Sequence, residues 1–311
     1  MNRIFPVKGI FAPLVTPFDA EENVDKKAFV HNIKKWATTG LRGLLPLGSN
    51  SEAVYLTKKE KLELVRLCAE HKRDDQLLLA GTGLESTRAT LKLTKKAAVE
   101  GAQAALIITP HFYTDKMDDR ALEAHYLRIA EESPIPVLIY HVEKYTHLPL
   151  STKVVEKLAD HPNIVGMKES SGSLAALMNY REATRGKDFQ VLLGTAGSWL
   201  PALSIGMEAG IFALANCAPN TCVKLQTFYE QGRVEEAREL YRKIYLLNQA
   251  VTARWGVAGL KEACTILGYQ GGRVRSPLQN ISEEEVQVIQ QLIEGLKEDE
   301  VECETKEARD A

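Results

Sequence analysis

Eight short apolar runs, each followed by a stretch of helical period, set the strongest limit on what this chain can become. The runs are GIFAPLV at 9–15, GLLPL at 43–47, LLLAG at 77–81, AALIIT at 104–109, PVLIY at 136–140, IVGMK at 164–168, QVLLG at 190–194 and GIFALA at 210–215. Each is nearly continuous in apolar character, as a strand covered on both faces must be. Between them lie amphipathic stretches such as KKEKLELVRLCAEHK at 58–72 and STRATLKLTKKAAVEG at 86–101. In the first, Leu62, Val65, Leu67 and Cys68 mark an apolar stripe, and Thr57 with Glu60 has the spacing of a capping box. Gly101 stands where the second helix would stop.

Strand–helix units in series close either as a doubly wound sheet or as a barrel. No GxGxxG follows the first strand, which weakens the dinucleotide-binding version. The pattern therefore predicts an α/β chain folded as a (β/α)₈ TIM barrel, a fold that typically takes ~250 residues. Residues 1–219 would form the barrel and 220–300 a C-terminal helical appendage packed on it. The appendage reads as helix broken near Gly232, then a second helix starting behind Ser282 as N-cap. The charged stretch 301–311 has little to bury and is expected to be disordered.

Composition narrows the function classes. Of 311 residues 45% are hydrophobic and 26% charged, as in a globular protein with a substantial core. A formal net charge of -2 carries no footprint for nucleic acid or an anionic membrane. The five cysteines (Cys68, Cys217, Cys222, Cys264 and Cys303) are an odd count without CxxC spacing, which fits a reducing compartment. No apolar run reaches the ~20 residues of a bilayer crossing, and MNRIFPVKGIF lacks a secretory core, so the expected location is cytoplasmic.

In a barrel of this kind the chemistry sits where strands end at their C-terminal side. The sixth run ends in Lys168. A lysine there is either a solvated loop residue or a desolvated amine, and desolvation lowers an amine's pKa until it can attack a ketone and form an imine. The fifth ends in Tyr140, either a rim tyrosine or a proton shuttle beside that lysine. The second ends in Gly48-Ser49-Asn50-Ser51-Glu52, a turn whose hydroxyls and backbone N–H groups can hold a carboxylate. The fourth ends in Thr109-Pro110-His111-Phe112-Tyr113, where Tyr113 either packs or joins Tyr140. No metal set surrounds His111 in sequence, so a packing or hydrogen-bonded role suits it better.

Together these strand ends resemble the dihydrodipicolinate synthase / N-acetylneuraminate lyase family of class I pyruvate aldolases, from about residue 7 to 295. The carrying stretches are GIFAPLVTPF, GSNSEAVYLT, LLLAGTGLEST, TPHFYTDK, PIPVLIY, HPNIVGMKESSG and VLLGTAG. The resemblance implies that Lys168 forms a Schiff base with a pyruvyl C2 carbonyl, and that Tyr140 is the general acid/base. It implies that Ser49 and Tyr113 complete a hydroxyl relay and that Ser49 and Asn50 bind the carboxylate. Gly194 and Ile211 would border the imine pocket. It further implies a homotetramer or homodimer, with no cofactor beyond the lysine and no metal.

The branch is read from departures. Synthases of the family place an arginine just beyond the catalytic tyrosine; here the loop runs His141-Val142-Glu143-Lys144-Tyr145-Thr146-His147, with Tyr145 at that position. GSNSE, LLLAGTGLEST, HPNIVGMKESSG and VTARWGVAGLK look closer to 4-hydroxy-2-oxoglutarate aldolases and 2-keto-3-deoxy sugar-acid aldolases. In that branch Ser170 is a substrate contact; its other reading is a turn serine. The expected activity is thus reversible cleavage of a 2-oxo-4-hydroxy acid to pyruvate and an aldehyde such as glyoxylate. The alternative is condensation of pyruvate with aspartate semialdehyde, as in 4-hydroxy-tetrahydrodipicolinate synthase. A non-catalytic binding barrel is a third reading, disfavoured by the presence of Lys168, Tyr140, Tyr113 and Ser49.

Overall fold

The computed structural model describes residues 5–296; the expected disorder of 301–311, and Cys303, lie outside the described residues. Eight strands form: β1 (Gly9–Pro13), β2 (Gly43–Leu45), β3 (Leu77–Gly81), β4 (Ala104–Ile108), β5 (Val137–His141), β6 (Ile164–Glu169), β7 (Gln190–Leu193) and β8 (Ala209–Ile211). They pair in sequence order and in parallel, and β8 closes onto β1. The predicted (β/α)₈ barrel is what the chain builds.

Strand alternation divides the core in two. Phe11, Leu45, Leu79, Leu106, Leu138 and Leu192 fill the barrel interior. Their neighbours Ile10, Leu44, Leu78, Ile107, Ile139 and Met167 pack outward against the helices. Burial on both faces is why the strands read as unbroken apolar runs.

The helix layer comprises α1 (Lys26–Ala37), α2 (Lys58–His71), α3 (Thr87–Val99), α4 (Asp119–Glu132), the one-turn α5 (Glu143–Thr146), α6 (Thr152–Leu158), α7 (Leu174–Ala183) and α8 (Trp199–Ser204). Then come α9 (Pro219–Glu230), α10 (Val234–Asn248), α11 (Gly256–Ile266) and α12 (Glu283–Glu294). Side-chain caps start most of these helices. Thr57 with Glu60 and Ser282 with Glu285 form reciprocal capping boxes, while Asp25, Ser86, Asp118, Ser151 and Ser173 each accept a first-turn N–H. Gly101 follows α3 at φ +103°, and a Cβ there would sit 2.7 Å from the Ala69 Cβ.

Two of these expectations are corrected, and the passage at 219/220 gains detail. The buried face of α2 is Lys61, Leu64, Val65 and Cys68, with Leu62 and Leu67 half-buried on its flanks. That is the i, i+3, i+4, i+7 stripe, rotated toward the barrel because the stem of Lys61 packs as an apolar group. The break near Gly232 (φ +74°) is present, but Gln249–Arg254 forms a π-helical turn that the uniform helical period of this stretch conceals. Finally, residue 220 lies in the first turn of α9, whose Cys222 and Leu225 share one core with the strands. The chain therefore passes from barrel to C-terminal helices without a break in packing.

Removing the Thr57 hydroxyl takes away half of the α2 capping box. Thr57→Ala should lower the unfolding free energy by about 1 kcal/mol, read as a lower urea midpoint at unchanged slope.

Candidate active site

β5 and β6 pair in register, with Tyr140 opposite Lys168 and His141 opposite Glu169. Alternation turns the first pair into the barrel and the second toward the helices. Lys168 is only 5% exposed, and its Nζ lies 4.4 Å from the centroid of the Tyr140 ring. Burial alone pulls the amine from 10.5 down to about 7. Among the described residues no carboxylate forms an ion pair with it. Desolvation thus shifts Lys168 toward its uncharged, nucleophilic form.

Tyr140 is buried beside it, and desolvation raises the pKa of its phenol, countered in part by the hydroxyls of Ser49 and Ser170. Tyr140 Oη and Ser49 Oγ lie 3.4 Å apart, a long hydrogen bond that either can donate. Ser49 opens a 3₁₀ turn, Ser49–Ser51, at the C-terminal side of β2. Asn50 sits half-buried in the same turn. The turn is anchored by Ser51, whose hydroxyl donates to the Leu14 carbonyl and whose own carbonyl accepts from Thr16 Oγ1 at 2.9 Å.

Ser170 follows β6 directly. Its N–H donates to the His141 carbonyl at 3.1 Å, and its Oγ, buried without a well-aligned hydrogen bond, still faces the Tyr140 phenol closely enough to lower its pKa. Gly194 directly follows β7, its N–H donating to the Glu169 carbonyl at 2.6 Å. A Cβ at Gly194 would run onto Ser170 Oγ and come within 2.7 Å of the Glu169 carbonyl, so close backbone approach demands glycine here. Ile211, the last residue of β8, is fully buried in the barrel interior.

Tyr113 stands apart from these residues. It is 66% exposed and packs edge-on against Phe112 with ring centroids 5.0 Å apart. Among the described residues it makes no hydrogen bond to Tyr140 or Ser49, whose hydroxyls face each other without it. The reason lies in its loop, which Glu85 holds at the rim by accepting from the N–H groups of His111 (3.0 Å) and Phe112 (2.9 Å). His111 Nδ1 lies 3.1 Å from the Thr109 carbonyl, which gives this histidine the hydrogen-bonded role expected of it, and 3.2 Å from the other Glu85 oxygen.

The loop after β5 folds as α5. Tyr145 there is 49% exposed, and its pKa is raised by burial and by Tyr140. Lys144 Nζ lies 3.5 Å from the Thr252 carbonyl and 5.7 Å from the Tyr145 ring centroid. Among the described residues no group of three or more potential metal ligands occurs. Sequence reasoning missed the pair behind the site, His141 and Glu169, whose Nδ1 and Oε1 are 3.7 Å apart with both side chains buried. The signal was the sequence Lys168-Glu169: on a strand, one inward lysine sends the next residue outward.

A direct titration of Lys168, by ¹³C-methyl NMR of the reductively methylated protein with a Lys168→Arg variant for assignment, should give a pKa near 7 for the methylated amine. A value above about 9.5 would mean that the amine is hydrated and would remove the basis for its nucleophilicity.

Comparison with known proteins agrees with this geometry. The model of the dihydrodipicolinate synthetase family matches residues 6–296. A 4-hydroxy-tetrahydrodipicolinate synthase of Methanothrix thermoacetophila is 33% identical over 277 residues, covering 89% of this chain and 92% of that protein. A dihydrodipicolinate synthase of Bacillus anthracis superposes with a TM-score of 0.88 at 26% identity, covering 94% of this chain and 99% of the other. A prophage protein of that family from E. coli K12, YagE, solved in complex with pyruvate, superposes at 0.86 with 27% identity, covering 93% and 98%. Among the described residues no helix is long and apolar enough to cross a membrane, and Cys68, Cys217, Cys222 and Cys264 are buried thiols outside any disulfide. The chain belongs to the dihydrodipicolinate synthetase family and is a carbon–carbon lyase of the class I aldolase kind.

Proposed function

We propose that this enzyme forms an imine between Lys168 and the C2 carbonyl of pyruvate or a pyruvyl substrate. The observation that carries the reading is the buried amine, held near neutrality by desolvation and facing Tyr140. Nζ adds to C2, Tyr140 passes a proton to the departing hydroxyl, and water leaves. The protonated imine then accepts the electron pair of a breaking C3–C4 or C3–H bond. Because the lysine itself is the electron sink, the step needs no metal or organic cofactor. In this reading Ser49 and Asn50 hold the carboxylate, Ser49 relays protons with Tyr140, and Ser170, Gly194 and Ile211 border the imine. Tyr113, exposed in one chain, can join the relay only where its loop is brought against a site, as in a homodimer or homotetramer. The buried thiols suit a cytoplasmic setting.

Two aldehyde partners follow from the same enamine. The names of the relatives back condensation with aspartate semialdehyde, the reading ranked second in sequence, better than cleavage of a 2-oxo-4-hydroxy acid. In the condensation the enamine C3 bonds to the aldehyde carbon, and Tyr140 supplies a proton to the new alkoxide. Cleavage runs the same bonds in reverse, with Tyr140 removing the C4 hydroxyl proton and releasing an aldehyde such as glyoxylate. One observation supports keeping it: Tyr145, not an arginine, stands at the mouth, with Lys144 beside it as a charge that can meet a second carboxylate. Family membership leaves the non-catalytic barrel without support.

Incubation with pyruvate followed by borohydride should add a reduced pyruvyl group to Lys168, located by peptide mass. Its rate should rise about tenfold between about pH 6 and about pH 8, because the free amine is the reactive form and its pKa is near 7. A folded Lys168→Ala chain should form no adduct and have no activity; wild-type turnover by it ends the proposal. For Tyr140→Phe, kcat should fall by about 10²-fold or more while trapping is partly retained. Turnover of aspartate semialdehyde with pyruvate, set against cleavage of 4-hydroxy-2-oxoglutarate and keto-deoxy sugar acids, decides the aldehyde.

A further inference from the structure

The stretch VTARWGVAGLK ends in a lysine that the chemistry above does not use. Lys261, on α11, is 2% exposed. Its Nζ lies 2.5 Å from Glu52 Oε1, donates to the Arg273 carbonyl at 2.5 Å and sits 4.5 Å from the centroid of the Phe18 ring. The contact with Glu52 is ionic more than directional, since Oε1 accepts no well-aligned hydrogen bond. Burial draws the Lys261 amine down to about 8 while Glu52 pulls it up. The second Glu52 oxygen accepts from the Arg275 N–H at 2.8 Å.

Glu52 is the residue that closes the Ser49–Ser51 turn. Its N–H donates to the Ser49 carbonyl at 3.1 Å, and its backbone is left-handed, at φ 54° and ψ 39°, a conformation that a residue with a side chain adopts at a cost. The last residue of the turn, Ser51, is fixed by the segment after β1, through Leu14 and Thr16. Glu52, next to it, is fixed from α11 and the segment after it. Arg275 adds to that hold, donating to the Tyr55 carbonyl at 2.9 Å and to Glu60 Oε1 at 2.7 Å. A buried ion pair is a weak way to gain stability, because desolvation offsets the attraction, but it fixes where its two partners stand.

We propose that Lys261 is a positioning residue for the substrate carboxylate: through Glu52 it holds the Ser49–Ser51 turn, with its hydroxyls and N–H groups, in register with Tyr140 and Lys168. The C-terminal helices thereby act on substrate binding without touching substrate. The inference rests on the reading of that turn as the carboxylate holder.

The test is borohydride trapping of pyruvate by the full chain, measured across pyruvate concentrations. In Lys261→Met the half-saturating pyruvate concentration should rise about tenfold or more, while the limiting trapping rate, set by Lys168, stays within about twofold. A folded Lys261→Met chain with unchanged half-saturation overturns the proposal, whatever its loss of thermal stability. If that variant does not fold, Glu52→Gln/Lys261→Met, which leaves no unpaired buried charge, is measured in its place with the same expectation. If neither folds, the pair is a requirement of the whole fold and the positioning role is overturned. A wild-type chain that forms no adduct overturns the pyruvate reading instead, and this inference with it.

Discussion

A primary amine inside a parallel barrel is the constraint around which the rest of the site is arranged. The inward layer near Lys168 is apolar, with Leu138, Leu192 and Ile211 among its members, and burial of a charged ammonium there carries a desolvation cost that no ion pair offsets. The amine responds by losing its affinity for a proton. The same lack of a counter-charge that destabilises the ammonium makes the neutral form reactive. Its neighbour is set just as rigidly. Tyr140 is the register partner of Lys168 on the adjacent strand, and neighbouring strands lie about 4.8 Å apart. Strand spacing, not loop conformation, thus brings a phenol beside the amine.

What was legible in the sequence follows from this dependence on strands. The apolar runs gave the barrel and its order because both-face burial is written in composition. A strand-end lysine and tyrosine could be read off as the last residues of two of them. The Thr57 and Ser282 caps were equally readable, since a capping box is a local arrangement of four residues. Features made by distant contacts were hidden. The buried face of α2 was misplaced by part of a turn because Lys61 looks polar in sequence and packs by its stem. The exposure of Tyr113 follows from Glu85 pulling its loop to the rim, across 26 and 27 positions. The hold of α11 on Glu52 spans more than 200, and nothing local announces it.

The outward face of the same two strands has its own order. His141 and Glu169 stand back to back with Tyr140 and Lys168, with the Tyr180 ring of α7 set edge-on to the imidazole at 6.0 Å. Glu169 Oε1 accepts from the Ser171 N–H at 2.8 Å, so this carboxylate fixes how the chain leaves β6 and where Ser170 is presented. Gly194 meets the same corner from β7 through the Glu169 carbonyl. Polar groups behind the barrel wall therefore shape the mouth in front of it, by way of the backbone they share.

Selection of the second substrate rests on groups of a different kind. Amine, phenol and serine hydroxyls sit at strand ends or on a turn anchored at Ser51 and Glu52. Lys144 and Tyr145 belong to α5, a single helical turn between β5 and α6. An arginine at the Tyr145 position would offer a planar fork matched to a carboxylate, with much of its geometry fixed in advance. Lys144 offers a point charge on a flexible stem, leaning on the Thr252 carbonyl of the π-helical turn. A half-exposed phenol beside it donates one hydrogen bond and presents an apolar ring. In the proposed chemistry the pyruvyl half is held by the rigid groups and is common to both readings. The aldehyde half meets a mouth with less directional charge than a guanidinium provides. Under that proposal, recognition of the aldehyde rests on shape and on the flexible Lys144 cation more than on a preset fork.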